Sequence, residues 1–283
     1  MIRLPGIIKV TSVLIIDFLL FYSLFDDMAI AAAITGVIAL YVWFGGYTAL
    51  FKEGGIRFDK LPSYESSRLK AAKAQLINDV KASSSADISG LKLYLVDDDE
   101  MQATAYGANC ISVTSGTLKN SDAVTLNAVL AHEISHILNL DPEFSRAIFC
   151  SVLLICTAIS FLSAASLAVI FIIFLALGFL CSWLGVIMFR GTTKAVRFIF
   201  GLFQKIIVVI YLSLMCFSSR HTEYRCDMYS ARLGYGLQLA HFLSFAAPEN
   251  HRQLTLTEAL YRTHPPTPKR IARLQAYASS NNK

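Results

Sequence analysis

Apolar residues fill two stretches near the start of the chain, Ile7 to Phe25 and Met28 to Phe51, with only Asp26-Asp27 between them. As a helix, each run is long enough to cross the roughly 30 Å hydrocarbon core of a bilayer, so the pair predicts a transmembrane hairpin with a tight turn. From Lys52 to Arg146 polar positions return at regular intervals, the pattern of a domain that meets water. Tyr64 to Lys81 carries Leu69, Ala72, Leu76, Ile77 and Val80 at three- and four-residue steps and predicts an amphipathic helix. Leu91 to Val96 alternates like a strand, Asp97 to Glu100 is an acidic turn, and Ala103–Gly107 and Ile111–Thr114 predict further short strands. Ser121-Asp122 caps a helix running through Leu126, Val129, Leu130, Ile134 and Ile137 to about Leu140, where Asp141-Pro142 ends it.

The second half of the chain is harder to divide. Ala147 to Phe189 is apolar throughout and fits either one long tilted crossing or a hairpin bent at Ser163–Ser166. Arg190, Lys194 and Arg197 precede a further apolar run, Phe198 to Ser218, which is interrupted by Gln204 and Lys205. Beyond Ser219 the pattern is polar and mostly helical, with a loop at Pro265-Pro266 and an amphipathic helix over Lys269–Ala278.

Composition agrees with this pattern. Apolar residues make up 55% of the 283 positions against 16% charged, and the mean hydropathy is +0.52, the balance of a chain that keeps much of its length in lipid. The net charge of +5 sits largely beside apolar runs, where basic residues mark cytoplasmic flanks, so nucleic-acid binding gains no support. Arg3 and Lys9 stand before the first hairpin, Lys52, Arg57 and Lys60 after it, and acids at its tip, which predicts that both outer ends are cytoplasmic. No small-residue cleavage site precedes Asp26-Asp27, so the first apolar run reads as a retained anchor. The six cysteines, Cys110, Cys150, Cys156, Cys181, Cys216 and Cys226, include no CxxC pair and predict neither a disulfide framework nor a cysteine metal site.

The candidate chemistry lies in His132-Glu133-Ile134-Ser135-His136. On a helix, four residues turn about 40° beyond one full turn, so His132 and His136 leave the same face and share one cation, while Glu133 stands beside it as a general base. A catalytic zinc site needs a third protein ligand and an open position. The extended three-histidine form of the motif is excluded, because Asn139 stands where that form has glycine and Pro142 where it has histidine. Asp141 and Glu143 lie too near His136 along the chain to fold back easily. Glu223 and Asp227, four apart in a helical segment, fit better, one as ligand and one bracing a histidine N–H; Glu223 is assigned as ligand and Asp227 as brace.

Taken together these segments resemble the HtpX-type membrane zinc metallopeptidases of bacteria, relatives of the CAAX prenyl proteases. The resemblance covers most of the chain and is carried by two N-terminal spans, Gln102–Gly107, Ala128–His136, a further membrane insert, Ser219–Asp227, Thr263-His264-Pro265-Pro266 and Lys269-Arg270-Ile271. It implies one Zn2+ per chain at His132, His136 and Glu223, no small-molecule cofactor, Glu133 as base, and His264 and Arg270 near the developing oxyanion. It also implies that Gln102, Ala103, Thr104 and Ala105 lie on an edge strand that pairs with substrate. That strand usually begins Asn-Ala-Phe-Ala in the family, so Thr104 is a departure bearing on substrate preference.

The fold expected is an α+β membrane protein, mainly helical, with about four transmembrane helices and a cytoplasmic HExxH zincin domain containing a small β-sheet. Residues 1–51 form the first hairpin, 52–146 and 219–283 the two parts of the protease domain, and 147–218 a membrane insert. His136 and Glu223 must share a compartment, so the insert crosses an even number of times; Ala147–Phe189 as one crossing and Phe198–Ser218 as the next satisfies this. The expected partners are lipid and unfolded or membrane-protein substrates in a bacterial inner membrane, in a role of protein quality control. A catalytically silent scaffold and a transporter using Asp17 and Lys205 are the competing classes.

Overall fold

The computed structural model describes residues 4–83, 86–177, 182–246 and 266–281. Helices α1 (Leu4–Phe25) and α2 (Met28–Lys52) form the expected hairpin. Asp26 takes a left-handed conformation at φ 50°, and the Asp27 carboxylate accepts the backbone N–H groups of Ala29 and Ile30, which starts α2 at once.

A four-stranded sheet follows, built from β1 (Ile56–Arg57), β2 (Lys92–Val96), β3 (Ala103–Tyr106) and β4 (Cys110–Thr114) in the order β1-β2-β4-β3. Only the β2–β4 pair is parallel. Alternation along the strands gives the sheet two buried faces. Leu93, Leu95, Ala105, Ile111 and Val113 join a core with α3 (Ser63–Ser83), α5 (Ala123–Leu138) and the C-terminal helices, while Tyr94, Tyr106 and Cys110 meet Leu50 of α2. Leu69, Ala72, Leu76 and Val80 of α3 are buried as their spacing predicts. A short helix α4 (Ser115–Asn120) is capped by Thr114, and α5 by Asp122, whose carboxylate accepts the Thr125 N–H at 2.7 Å.

The later helices are α6 (Asp141–Ala176), α7 (Trp183–Ser230), α8 (Gly236–Ala246) and α9 (Thr267–Asn281), with a π-helical turn at Ala231–Tyr235 where Gly234 has φ 92°. By length and composition the described residues offer four helices able to cross a membrane: α1, α2, α6 and Trp183–Ser213 of α7. The expected number of spans agrees. Their boundaries differ, because Ala147–Phe189 is not one continuous helix. The first helix ends at Ala176 and the next begins at Trp183, so Arg190, Lys194 and Arg197 lie within a helix that runs unbroken to Glu223. Ser163–Ser166 is likewise internal to α6.

The chain separates into two compact units. Residues 1–147 with 216–283 contain the first hairpin, the sheet and α5. Residues 148–215 contain the paired lengths of α6 and α7, joined where Gln204 Nε2 donates to Cys156 O at 2.9 Å and where Phe189 meets Phe171 and Phe174 edge-on.

Candidate metal centre

Because α5 is regular, His132 and His136 leave one face one turn apart, with ring centroids 5.0 Å apart. Their Nε2 atoms converge to 3.3 Å. Glu223, from the C-terminal part of α7, brings Oε2 to 3.5 Å from His132 Nε2 and Oε1 to 3.7 Å from His136 Nε2. In a tetrahedral zinc site with bonds of about 2.0–2.1 Å, donor atoms stand about 3.3–3.4 Å from one another, so this triad fits such an ion. A carboxylate oxygen of Glu133 lies within 4.8 Å of a ring nitrogen of each histidine, near enough to act on a water beside the metal without being needed as a ligand.

Acidic side chains surround the outer nitrogens. Asp227 Oδ1 approaches His132 Nδ1 at 3.1 Å, an ion-pair distance without the alignment of a good hydrogen bond. Arg270 clamps this carboxylate through Nε at 2.8 Å and Nη2 at 2.6 Å, and its Nη1 reaches Glu223 Oε2 at 2.9 Å. Thus Arg270 lies beside the triad, bound to its one acid, Glu223, and to Asp227 behind His132, and is 7% exposed. His264 lies outside the described residues.

On the His136 side the brace is Asp141, whose Oδ2 is 3.1 Å from Nδ1. By its spacing Asp141 lies too close along the chain to fold back easily. The structure corrects this: α5 ends at Leu138, Leu140 takes φ 53°, and the tight turn carries Asp141 back beside the ring. Lys9 of α1 and Arg225 of α7 also bind Asp141. Buried Cys226 stands beside His136 as well, a neighbour the cysteine spacing did not reveal. Besides His132, Glu133 and His136, a second group among the described residues comes close enough to hold a metal: His136, Asp141 and Cys226. Its carboxylate is already matched by two cationic side chains, which disfavours a divalent ion there, whereas the Nε2 atoms face Glu223.

Electrostatics follow from burial. Desolvation raises the Glu133 carboxyl above its ordinary 4.5, opposed by the two histidines and the Ala105 amide. Burial would lower His132, but Asp227 and Glu223 reverse the direction and favour a cation on it; burial would lower His136 too, but Cys226 and then Asp141 raise it. Asp227 stays below its ordinary 3.8 despite burial, held there by His132 and Arg270.

Strand β3 borders this centre and, among the described residues, has one side without a strand partner. Gln102 and Thr104 are the residues whose backbones pair with Thr114 and Ser112 of β4, so the amides and carbonyls of Ala103 and Ala105 point to the free side. Gln102 is bound further, its carbonyl accepting the Thr117 hydroxyl and its side chain bonding Glu100.

Comparison with known proteins gives the family. A Protease HtpX homolog of Desulfotalea psychrophila (strain LSv54 / DSM 12343) is 31% identical over 216 residues, covering 68% of this chain and 69% of that protein. Another, from Streptococcus uberis (strain ATCC BAA-854 / 0140J), is 27% identical over 219 residues, covering 67% and 68%. The crystal structure of S. mikatae Ste24p aligns with 90% of this chain and 66% of its own at 17% identity and a TM-score of 0.39. Residues 67–278 match Peptidase family M48, well over half of the 283 positions. The protein therefore belongs to peptidase family M48, a membrane metalloprotease related to HtpX.

Proposed function

We propose that the chain is a zinc-dependent endopeptidase that hydrolyses unfolded or membrane-embedded proteins, in a quality-control role, from the cytoplasmic side of a bacterial inner membrane. The observation that carries this reading is the convergence of His132 Nε2, His136 Nε2 and the Glu223 carboxylate at 3.3–3.7 Å, with Glu133 beside them. Zinc bound by this triad supplies Lewis acidity toward water and the scissile carbonyl. Glu133 takes the proton from the attacking water and returns it to the departing amine; the raised affinity of its buried carboxyl for protons suits both steps.

Asp227 and Asp141 hold the imidazoles by their outer nitrogens, and Arg270 restrains Glu223 and Asp227. Arg270 also brings positive charge close to the place where the oxyanion develops, the role assigned with His264. The free side of β3 offers the Ala103 main-chain groups and the Ala105 carbonyl to an extended substrate, a mode of recognition tolerant of sequence, while the Ala105 amide meets Glu133 and Gln102 and Thr104 fix the strand in the sheet. The cytoplasmic side is supported by the basic flanks of the first hairpin and by the return of α7 to Glu223 after α6 leaves.

The test is casein hydrolysis by the full-length protein in detergent with zinc. Glu133→Gln is expected to retain zinc and to lose turnover by about a hundredfold or more, as removal of a general base does. Hydrolysis by that variant at the parent rate would refute the assignment.

A further inference from the structure

Resting on the zinc reading above, we propose that the first transmembrane hairpin is part of the metal centre: Lys9 of α1 acts through Asp141 as a positioning residue for the His136 ligand. The Asp141 carboxylate has three nitrogen neighbours from three different helices. Oδ2 meets His136 Nδ1 at 3.1 Å and also Arg225 Nη2. Oδ1 meets Lys9 Nζ at 3.2 Å.

Sharing one oxygen sets His136 and Arg225 against each other, since a carboxylate free to rotate toward the guanidinium leaves the imidazole. Lys9 pins the other oxygen and fixes that rotation. With Oδ2 held in place, Nδ1–H donates to it, the tautomer is set, and the Nε2 lone pair is aimed at the position shared with His132 and Glu223.

The seating of α1 makes this contact more than a flexible surface pair. Gly6, one turn before Lys9, packs so closely on the α5–α6 turn that a Cβ there would stand 2.6 Å from Asn139 O. Val10 beside it is 2% exposed. The Lys9 ammonium also lies over the Phe144 ring, 5.3 Å from its centroid, on the first turn of α6. Asn139 and Phe144 flank Asp141, so α1 touches the chain on both sides of the brace.

The test uses the full-length protein in detergent and reads zinc affinity by competition with a chelator, together with the visible spectrum of the cobalt form. Substitution of groups that orient metal-bound histidines weakens binding by about ten- to a hundredfold. Lys9→Met is accordingly expected to weaken zinc binding by about tenfold and to alter the cobalt spectrum, with the thermal midpoint retained. Lys9→Arg is expected to restore both, and Lys205→Met, on the exposed surface of α7, to change neither. In an Asp141→Asn background, Lys9→Met is expected to add nothing further, because its effect passes through Asp141. Parent-like zinc affinity in Lys9→Met would overturn this inference alone. Equal additive losses in the double variant would also overturn it. A parent protein that binds no zinc would overturn the zinc reading, and this inference with it.

Discussion

Two pairs of apolar helices, α1–α2 and α6–α7, look alike as strings of lipid-compatible residues and differ in what they do for the site. In the most apolar windows of α1 and α2, 22% of positions are buried; in those of α6 and Trp183–Ser213 of α7, none are. The first pair is bonded into the unit that holds the metal centre. Lys9 binds Asp141, Arg146 Nε donates to Val42 O at 3.0 Å, and the Tyr47 hydroxyl donates to Asn109 at 2.6 Å. The second pair forms its own unit, linked by Gln204 to Cys156 and Ser160. Hydropathy reports compatibility with lipid; the small and polar positions inside a span report whether it also belongs to a folded domain.

Glycine substitution breaks this comparison most sharply. Gly6→Val is expected to destabilise the protein by about 1–3 kcal/mol, because a side chain there meets the Asn139 backbone, as overpacking does. Gly201→Val, where a Cβ has nothing within 4 Å, is expected to stay within about 0.5 kcal/mol of the parent. Chemical denaturation in a fixed detergent checks both; equal losses would show that the two pairs are integrated alike.

Hydrogen-bond deletions sharpen it on a smaller scale. Tyr47→Phe removes the bond to Asn109 and is expected to cost about 0.5–1.5 kcal/mol, read as a loss of stability in the unit that carries the centre. Gln204→Leu is expected to cost about 0.6 kcal/mol, with hydrogen-exchange protection falling only in residues 148–215 and zinc affinity unchanged.

The smallest effect is set by pH. Asp227 is held below its unfolded value of 3.8, so its contribution to stability is complete above that pH and is lost as pH falls through the lower folded value. Hydrogen exchange between pH 5 and pH 3 is expected to lose protection around Asp227, and an Arg270→Met variant to lose part of it at a higher pH. Protection that does not change over this range would contradict the ion-pair account.

Much of this was legible because the relevant residues act locally. Asp26-Asp27 between apolar runs specifies a turn and a cap, Asp122 starts α5, and the four-residue spacing of His132 and His136 fixes a shared face wherever the helix goes. Glu223 and Asp227 were found because the same spacing on a second helix offers two carboxylates at once. Other features have no local signal. β1 is two residues long, too short for any periodicity, and exists only because β2 supplies its partner. Arg190, Lys194 and Arg197 resemble a boundary in composition, yet a helix carries them without interruption. Asp141 gives no such signal, because spacing alone makes its proximity an obstacle, whereas the left-handed Leu140 turns that proximity into contact.

The central claim is that the metal is held by two imidazoles and a carboxylate rather than by the neighbouring group that contains Cys226. X-ray absorption at the zinc edge of the purified, zinc-loaded protein tests it most directly. Nitrogen and oxygen neighbours alone at about 2.0–2.1 Å, with imidazole scattering, are the predicted result; a sulfur neighbour at about 2.3 Å would contradict it.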